Sequence, residues 1–196
     1  MRMDNRRLGH FALVVGCSVV VLTLAGCGSK ATGVKAYQDS ALAVLQGDGV
    51  NTPNFTHSVG ITLKAMYCAQ YACTLPSEME YLRQVAEQEV EYLVLFHERI
   101  CKALQPPEAL LQESTVLCQG LERMTVQVQE LEKNAELARN FLARSNKSDL
   151  DQIKGTLSGL NQRIFDNRDQ IKAAFAQLQD IQWLKQAFEN ADEEIP

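Results

Sequence analysis

The sequence lacks the motifs on which most catalytic chemistry is built. It has no Gly-x-Ser-x-Gly elbow, no glycine-rich phosphate loop and no dinucleotide-binding fingerprint. Those absences argue against elbow-type hydrolase, nucleotide-hydrolysing and dinucleotide-dependent chemistry, while residue types alone leave a Ser-His-Asp arrangement open. Histidine is scarce, three in 196 residues, and only His57 and His97 lie beyond the N-terminal apolar run. Asp and Glu are interspersed with Lys and Arg along the chain, the pattern of solvated helix faces rather than of an acid–base pair. Clustered basic residues are also missing, which argues against bare nucleic acid or an anionic membrane surface as a partner. After residue 26 no stretch is apolar enough to span a bilayer.

The N-terminus has the anatomy of an export signal. Arg2, Arg6 and Arg7 precede an apolar run of about 16 residues that closes on Ala25-Gly26, and a spanning helix needs roughly 20. Leu24-Ala25-Gly26-Cys27 resembles the lipobox of bacterial lipoproteins across all four of its residues. The resemblance implies cleavage before Cys27, a diacylglyceryl group on its thiol and acylation of the freed amine. An uncleaved anchor helix is the alternative. Gly28 is not the Asp that favours inner-membrane retention in enteric-type sorting, so the resemblance implies the outer membrane, with two or three acyl chains holding firmly. Cleavage removes three arginines and one aspartate, so the 19 basic and 24 acidic residues become 16 and 23, a net charge of −7.

The remaining 170 residues suffice for one domain with a sizeable core. Residues 27–33 are the lipidated Cys and a small, polar tether, 34–190 a single all-helical domain and 191–196 an acidic tail. Val34, Tyr37, Ala41, Leu42 and Leu45 fall near one helical face, and Gly47 is a stop signal before a loop to Asn54. Residues 56–71 form a second helix with Ile61, Ala65 and Cys68 on a common face; the β-branched residues around Gly60 leave a local strand open. Ser77 and Glu80 read as a capping box for a helix lined by Met79, Leu82, Val85, Ala86, Leu93, Phe96 and Ile100. Pro106-Pro107 ends it.

The last two helices are long. From Glu108, one seam position carries Leu110, Leu117, Met124, Leu131 and Ala138, the other Ser114, Leu121, Val128, Ala135 and Leu142. After a break at Ser145-Asn146-Lys147, a helix capped by Ser148 runs from Leu150 to Phe188, with Ile153, Leu157, Leu160, Ile164, Asn167, Ile171, Ala174, Leu178 and Ile181 in steps of three and four. Its length would be roughly 58 Å. Asn167 in the seam sets register, and Gly155 and Gly159 favour close helix approach over a bendable point. The fold expected is all-α, an elongated antiparallel bundle of about five helices with a coiled-coil-like C-terminal hairpin.

Besides Cys27, the exported part keeps Cys68, Cys73, Cys101 and Cys118, an even number suited to an oxidising compartment. A helix of about 27 residues separates Cys73 from Cys101, which disfavours pairing them. The two prolines shift the turn so that Cys101 and Cys118 reach nearly the same height, within about 2 Å. Cys68–Cys73 and Cys101–Cys118 are the expected disulfides. His97-Glu98-Arg99-Ile100-Cys101 looks like the helical zinc-protease motif with Cys for the second His, but its thiol is assigned to a bridge and no third ligand follows. No metal site is expected. Trp183 lies off the seam, leaving two readings, an exposed interface anchor or burial against the shorter helices.

A non-enzymatic envelope lipoprotein without a cofactor is therefore the expectation. Its helical body meets an envelope protein or a second copy and serves interaction, assembly or structure. The alternative is a helical small-ligand or metal-binding lipoprotein, with His57, His97, Tyr67, Tyr71, Tyr81 and Tyr92 around a pocket.

Overall fold

Heptad-spaced apolar residues dominate the second half of the chain, and the structure, a computed structural model describing residues 33–67, 74–145 and 150–188, packs them as helices. Five α-helices occur among the described residues: α1 (Val34–Gln46), α2 (Phe55–Ala65), α3 (Pro76–His97), α4 (Leu111–Arg144) and α5 (Leu150–Gln179). A π-helical turn, Glu98–Lys102, extends α3, a 3-10 turn, Glu108–Leu110, leads into α4, and a 3-10 segment, Gln182–Phe188, follows α5. No strand occurs among the described residues. The chain is an all-α helical bundle.

The central helix is α4, with α3 and α5 packed antiparallel along it. Both of its predicted seam rows are buried as far as Ala138. Two contacts set its alignment with α3: the Cys101–Cys118 pair near one end and an ion pair between Glu80 and Arg139 near the other. Asn134 and Asn167 fix the α4–α5 register, as the Asn134 amide donates to the Asn167 carbonyl at 2.9 Å and the Asn167 amide donates to Gln127 at 3.2 Å. Leu157, Ile164, Ile171, Ala174 and Leu178 face the core together with Phe175.

The two short helices cover the end of the bundle where α3 stops and α4 starts. Tyr37, Ala41 and Leu45 of α1 are buried as predicted, and Gly47 ends the helix at φ +73. A Cβ at Gly47 would lie 2.3 Å from the Pro53 carbonyl oxygen, so no other residue fits the turn. The loop beyond is organised by Asp48, whose Oδ1 accepts from the backbone amides of Val50, Asn51 and Thr52 and holds the carboxyl well below the usual range. Asn54 then caps α2 by accepting from the His57 amide at 3.2 Å.

Several sequence expectations are corrected. The second helix ends at Ala65, and its buried face is Phe55, Val59, Thr62 and Leu63, followed by Met66, whereas Ile61 is exposed and Ala65 only half-buried. Aromatic packing turns the helix this way: Phe55 meets Phe96, Phe175 and Phe188 with ring centroids 5.4, 5.9 and 6.1 Å apart. The start of α3 is Pro76 at the first helical position rather than Ser77 at the cap. Glu78, not Glu80, reaches back to accept from the Thr74 and Leu75 amides, each at 3.0 Å. Proline, having no amide to leave unsatisfied, suits that position better than the serine after it. The last helix stops at Gln179 after 30 residues, about 45 Å. Its continuation tightens into the 3-10 segment because Ile181, Leu184 and Phe188 find burial against the short helices. Gly155 and Gly159 face open space, and the close approach occurs instead at Gly120, where a Cβ would meet Leu178 Cδ2 at 2.4 Å.

Candidate functional site

Cys101 reaches Cys118 because the last turn of the preceding helix is widened. The Ala103 amide donates to the Glu98 carbonyl, five residues back, at 3.1 Å, and insertions of this kind re-aim side chains at a helix end. The two sulfurs are at bonding distance with Cα atoms 5.8 Å apart. The Cys101 sulfur is thus committed to Cys118, His97 is half-buried one turn earlier, and the described residues contain no cluster of three His, Cys, Asp or Glu side chains. Beside the bridge, the hydroxyls of Tyr37 and Ser114 are hydrogen-bonded at 2.7 Å, and burial pushes the phenol's pKa up. Trp183 is half-buried and sets its ring edge-on to Tyr37 with centroids 5.9 Å apart. It packs the C-terminal 3-10 segment onto α1 instead of standing in solvent, and its Nε1 is buried without a hydrogen-bond partner.

A second site lies between α2 and α3. Along α3 the buried residues Leu82, Ala86, Glu89, Leu93 and Phe96 alternate steps of four and three, so a carboxylate occupies a core position. Glu89 is 3 % exposed. The Ser58 hydroxyl donates to its Oε1 at 3.0 Å. The buried Thr62 hydroxyl, one turn further along α2, stands beside the same carboxyl but outside hydrogen-bond geometry. A crevice of about 50 Å³ adjoins the pair, lined by Ile61 and Thr62 of α2 and Val85, Gln88 and Tyr92 of α3. Burial dominates the chemistry and pushes the Glu89 pKa up to about 8, with Ser58 and Thr62 acting in the opposite direction. The sequence reading passed over this residue. The seam gap between Ala86 and Leu93 is shared by Glu89 and the half-buried Val90, so spacing marks the position without singling out the carboxylate.

The third feature is an open cleft of about 500 Å³ at the far tip of the α4–α5 pair. Leu137, Phe141 and Ile153 supply its apolar wall and Asn140, Arg144 and Gln152 its polar rim. Leu137 is 54 % exposed, and Val126, also exposed, stands higher on the same helix in a shallower groove with Arg123 and Gln127. The histidines and tyrosines expected around one pocket are not gathered. Tyr67 covers the Arg168 guanidinium at 4.8 Å, Tyr92 accepts from Gln88, Tyr81 is exposed, and His57 lies on the outer side of α2. Cys27, Cys68, Cys73, Tyr71, the Ser148 cap and the acidic tail lie outside the described residues. Comparison with known protein families finds no match, and no curated protein or solved structure matches the chain.

Proposed function

We propose that this chain is an exported lipoprotein, tied through acyl chains on Cys27 to the outer membrane. On the periplasmic side its helical bundle binds another envelope protein, or a second copy, without catalysing a reaction. The observation that supports this most directly is the polarity of the bundle. The first helix after the tether, α1, is fastened beside the Cys101–Cys118 bridge through Tyr37 and Ser114. From Ser114 to Arg144 the central helix rises about 45 Å. An anchor at the N-terminus therefore leaves the α4–α5 tip, with its exposed Leu137 and the adjoining cleft, on the far side from the tether's attachment. Apolar side chains flanked by polar ones at an exposed end suit docking of a protein surface.

The test combines fractionation with site-specific photo-crosslinking in intact cells. Wild-type protein is expected to sediment with outer membranes, and Cys27→Ser to leave them. A photoreactive residue at Leu137 is expected to give a discrete adduct that one at Lys35 of α1 does not. Sedimentation unchanged by Cys27→Ser rejects the anchor, and absence of an adduct at both Leu137 and Val126 rejects the docking end.

A further inference from the structure

Short helix α2 is held to the bundle in a way the other helices are not. It has 11 residues, contains Gly60, and sends Ser58 and Thr62 as well as apolar side chains toward α3. An isolated helix of that length is not stable in water, so α2 keeps its shape only while docked. Its polar contact is with Glu89, a carboxyl in the interior that accepts from the Ser58 hydroxyl and, among the described residues, meets no cation.

We propose that α2 is a pH-sensitive latch: while Glu89 carries its proton α2 stays docked on α3, and loss of that proton releases it.

Among the described residues, the surroundings leave Glu89 without a compensating charge. The ionisable side chains of α2, His57 and Lys64, lie on its exposed face. On α3, Tyr92 lines the crevice, while Glu87 and Glu91 are exposed. Between its two contacts with α3, the central helix offers the uncharged Leu121, Met124, Val128, Leu131 and Ala135 to the interior, and its one half-buried charged side chain in that stretch, Glu132, is itself an acid. On α5 the buried Arg168 lies against the Tyr67 and Phe165 rings, and the half-buried Lys172 has its pKa lowered by burial. Lys185 of the 3-10 segment that follows α5 is exposed. Among the described residues, no charged group acts on the Glu89 carboxyl. Ionisation in place therefore leaves a buried charge with two hydroxyls for company, and opening α2 is the short route to water. The docked form binds the proton more tightly than the open one, so docking is strongest below the ordinary Glu range and weakens as pH rises through that range to about 8. Release uncovers the apolar seats of Phe55, Val59 and Leu63, among them Phe96 and Phe175.

Hydrogen exchange of the full chain, read by mass spectrometry between pH 5 and 8 and corrected for intrinsic rates, tests the latch. Protection of α2 amides is expected to fall by about tenfold or more relative to the Leu121–Ala135 stretch of α4, since each pH unit of differential proton binding is worth about tenfold. In Glu89→Gln, whose neutral amide still accepts from Ser58, the fall should disappear. Flat protection in the wild type, or an unchanged fall in the variant, overturns the proposal. Should the variant not fold, the 13C resonance of the Glu89 carboxyl in the wild-type chain decides: a midpoint in the ordinary carboxylate range overturns it, and a midpoint near neutrality or above supports it.

Discussion

Replacing Gly120 with alanine places a methyl carbon 2.4 Å from Leu178 Cδ2 and 3.2 Å from its Cγ. Both distances are inside van der Waals contact, and because Cγ is also too near, rotation about the Leu178 Cβ–Cγ bond alone does not clear the space. Leu178 is fully buried, so the α4–α5 spacing or its neighbours must give. Overpacking of this kind costs roughly 1–3 kcal/mol, against a helix-propensity gain of about 1 kcal/mol for removing glycine. The expected net is a destabilisation of about 1 kcal/mol. At Gly155 and Gly159 a Cβ meets nothing within 4 Å, so the same substitution there should stabilise by about 0.5–1 kcal/mol each. One chemical change, at three positions of one hairpin, thus acquires opposite signs. Urea unfolding followed by far-UV circular dichroism measures all three, provided the m-value is unchanged. The mechanism also predicts coupling: in a Leu178→Ala background, Gly120→Ala should stabilise, giving an interaction energy of about 2 kcal/mol. If Gly120→Ala stabilises as much as Gly159→Ala in the wild-type background, the close approach of the two helices is wrong.

Other outcomes follow from single contacts. Cys101→Ala/Cys118→Ala should lose about 3 kcal/mol in urea unfolding, the chain-entropy value for a loop with a separation of 17 residues. Asn167→Leu alone strands the Asn134 amide and should cost about 1–3 kcal/mol, whereas Asn134→Leu/Asn167→Leu should be close to neutral in stability. Glu80 is held near pKa 2 by Arg83 first and Arg139 second. Its contribution is present above the ordinary Glu range and is lost as pH falls through that range toward 2, so Arg139→Gln should raise the Glu80 midpoint in a carboxyl NMR titration.

Long seams were legible in the sequence because burial there follows spacing alone. All five residues of the first row, from Leu110 to Ala138, are buried as periodicity predicts, and Cys101 meets Cys118 as expected, although the π-helical turn that aims Cys101 is not visible in rise per residue. The short helices were less legible, because in 11 residues no repeat accumulates and tertiary contacts decide which side faces in. Phe55, placed outside the predicted helix, anchors α2 through three aromatic neighbours and turns Ile61 outward. The glycines misled for a similar reason: Gly155 and Gly159 form a pattern on one helix, but whether a glycine is approached depends on the partner's residue, and Leu178 lies opposite Gly120. At the candidate sites, Glu89 shares its seam gap with the apolar Val90, so periodicity alone does not single it out, while the tip cleft depends on residues of two helices that no linear pattern brings together.

Beneath the apolar core runs a sparse set of specific contacts, with every helix taking part in at least one. Tyr37–Ser114 ties α1 to α4, Ser58–Glu89 ties α2 to α3, Cys101–Cys118 and Glu80–Arg139 tie α3 to α4, and Asn134–Asn167 ties α4 to α5. Leucine and alanine seams tolerate sliding by a heptad, and a lone polar pair that must meet its mate does not, so these contacts select one register from several that would bury similar area. They differ in what can undo them. The amide pair and the Tyr–Ser hydroxyls do not ionise near neutrality, the Glu80 ion pair fails only in acid, and the cysteine pair yields to reductant. Ser58–Glu89 alone among them changes charge near neutral pH. The bundle therefore loosens at α2 well before it loosens along α3, α4 and α5, and a rise in pH acts on the helix with the least independent stability.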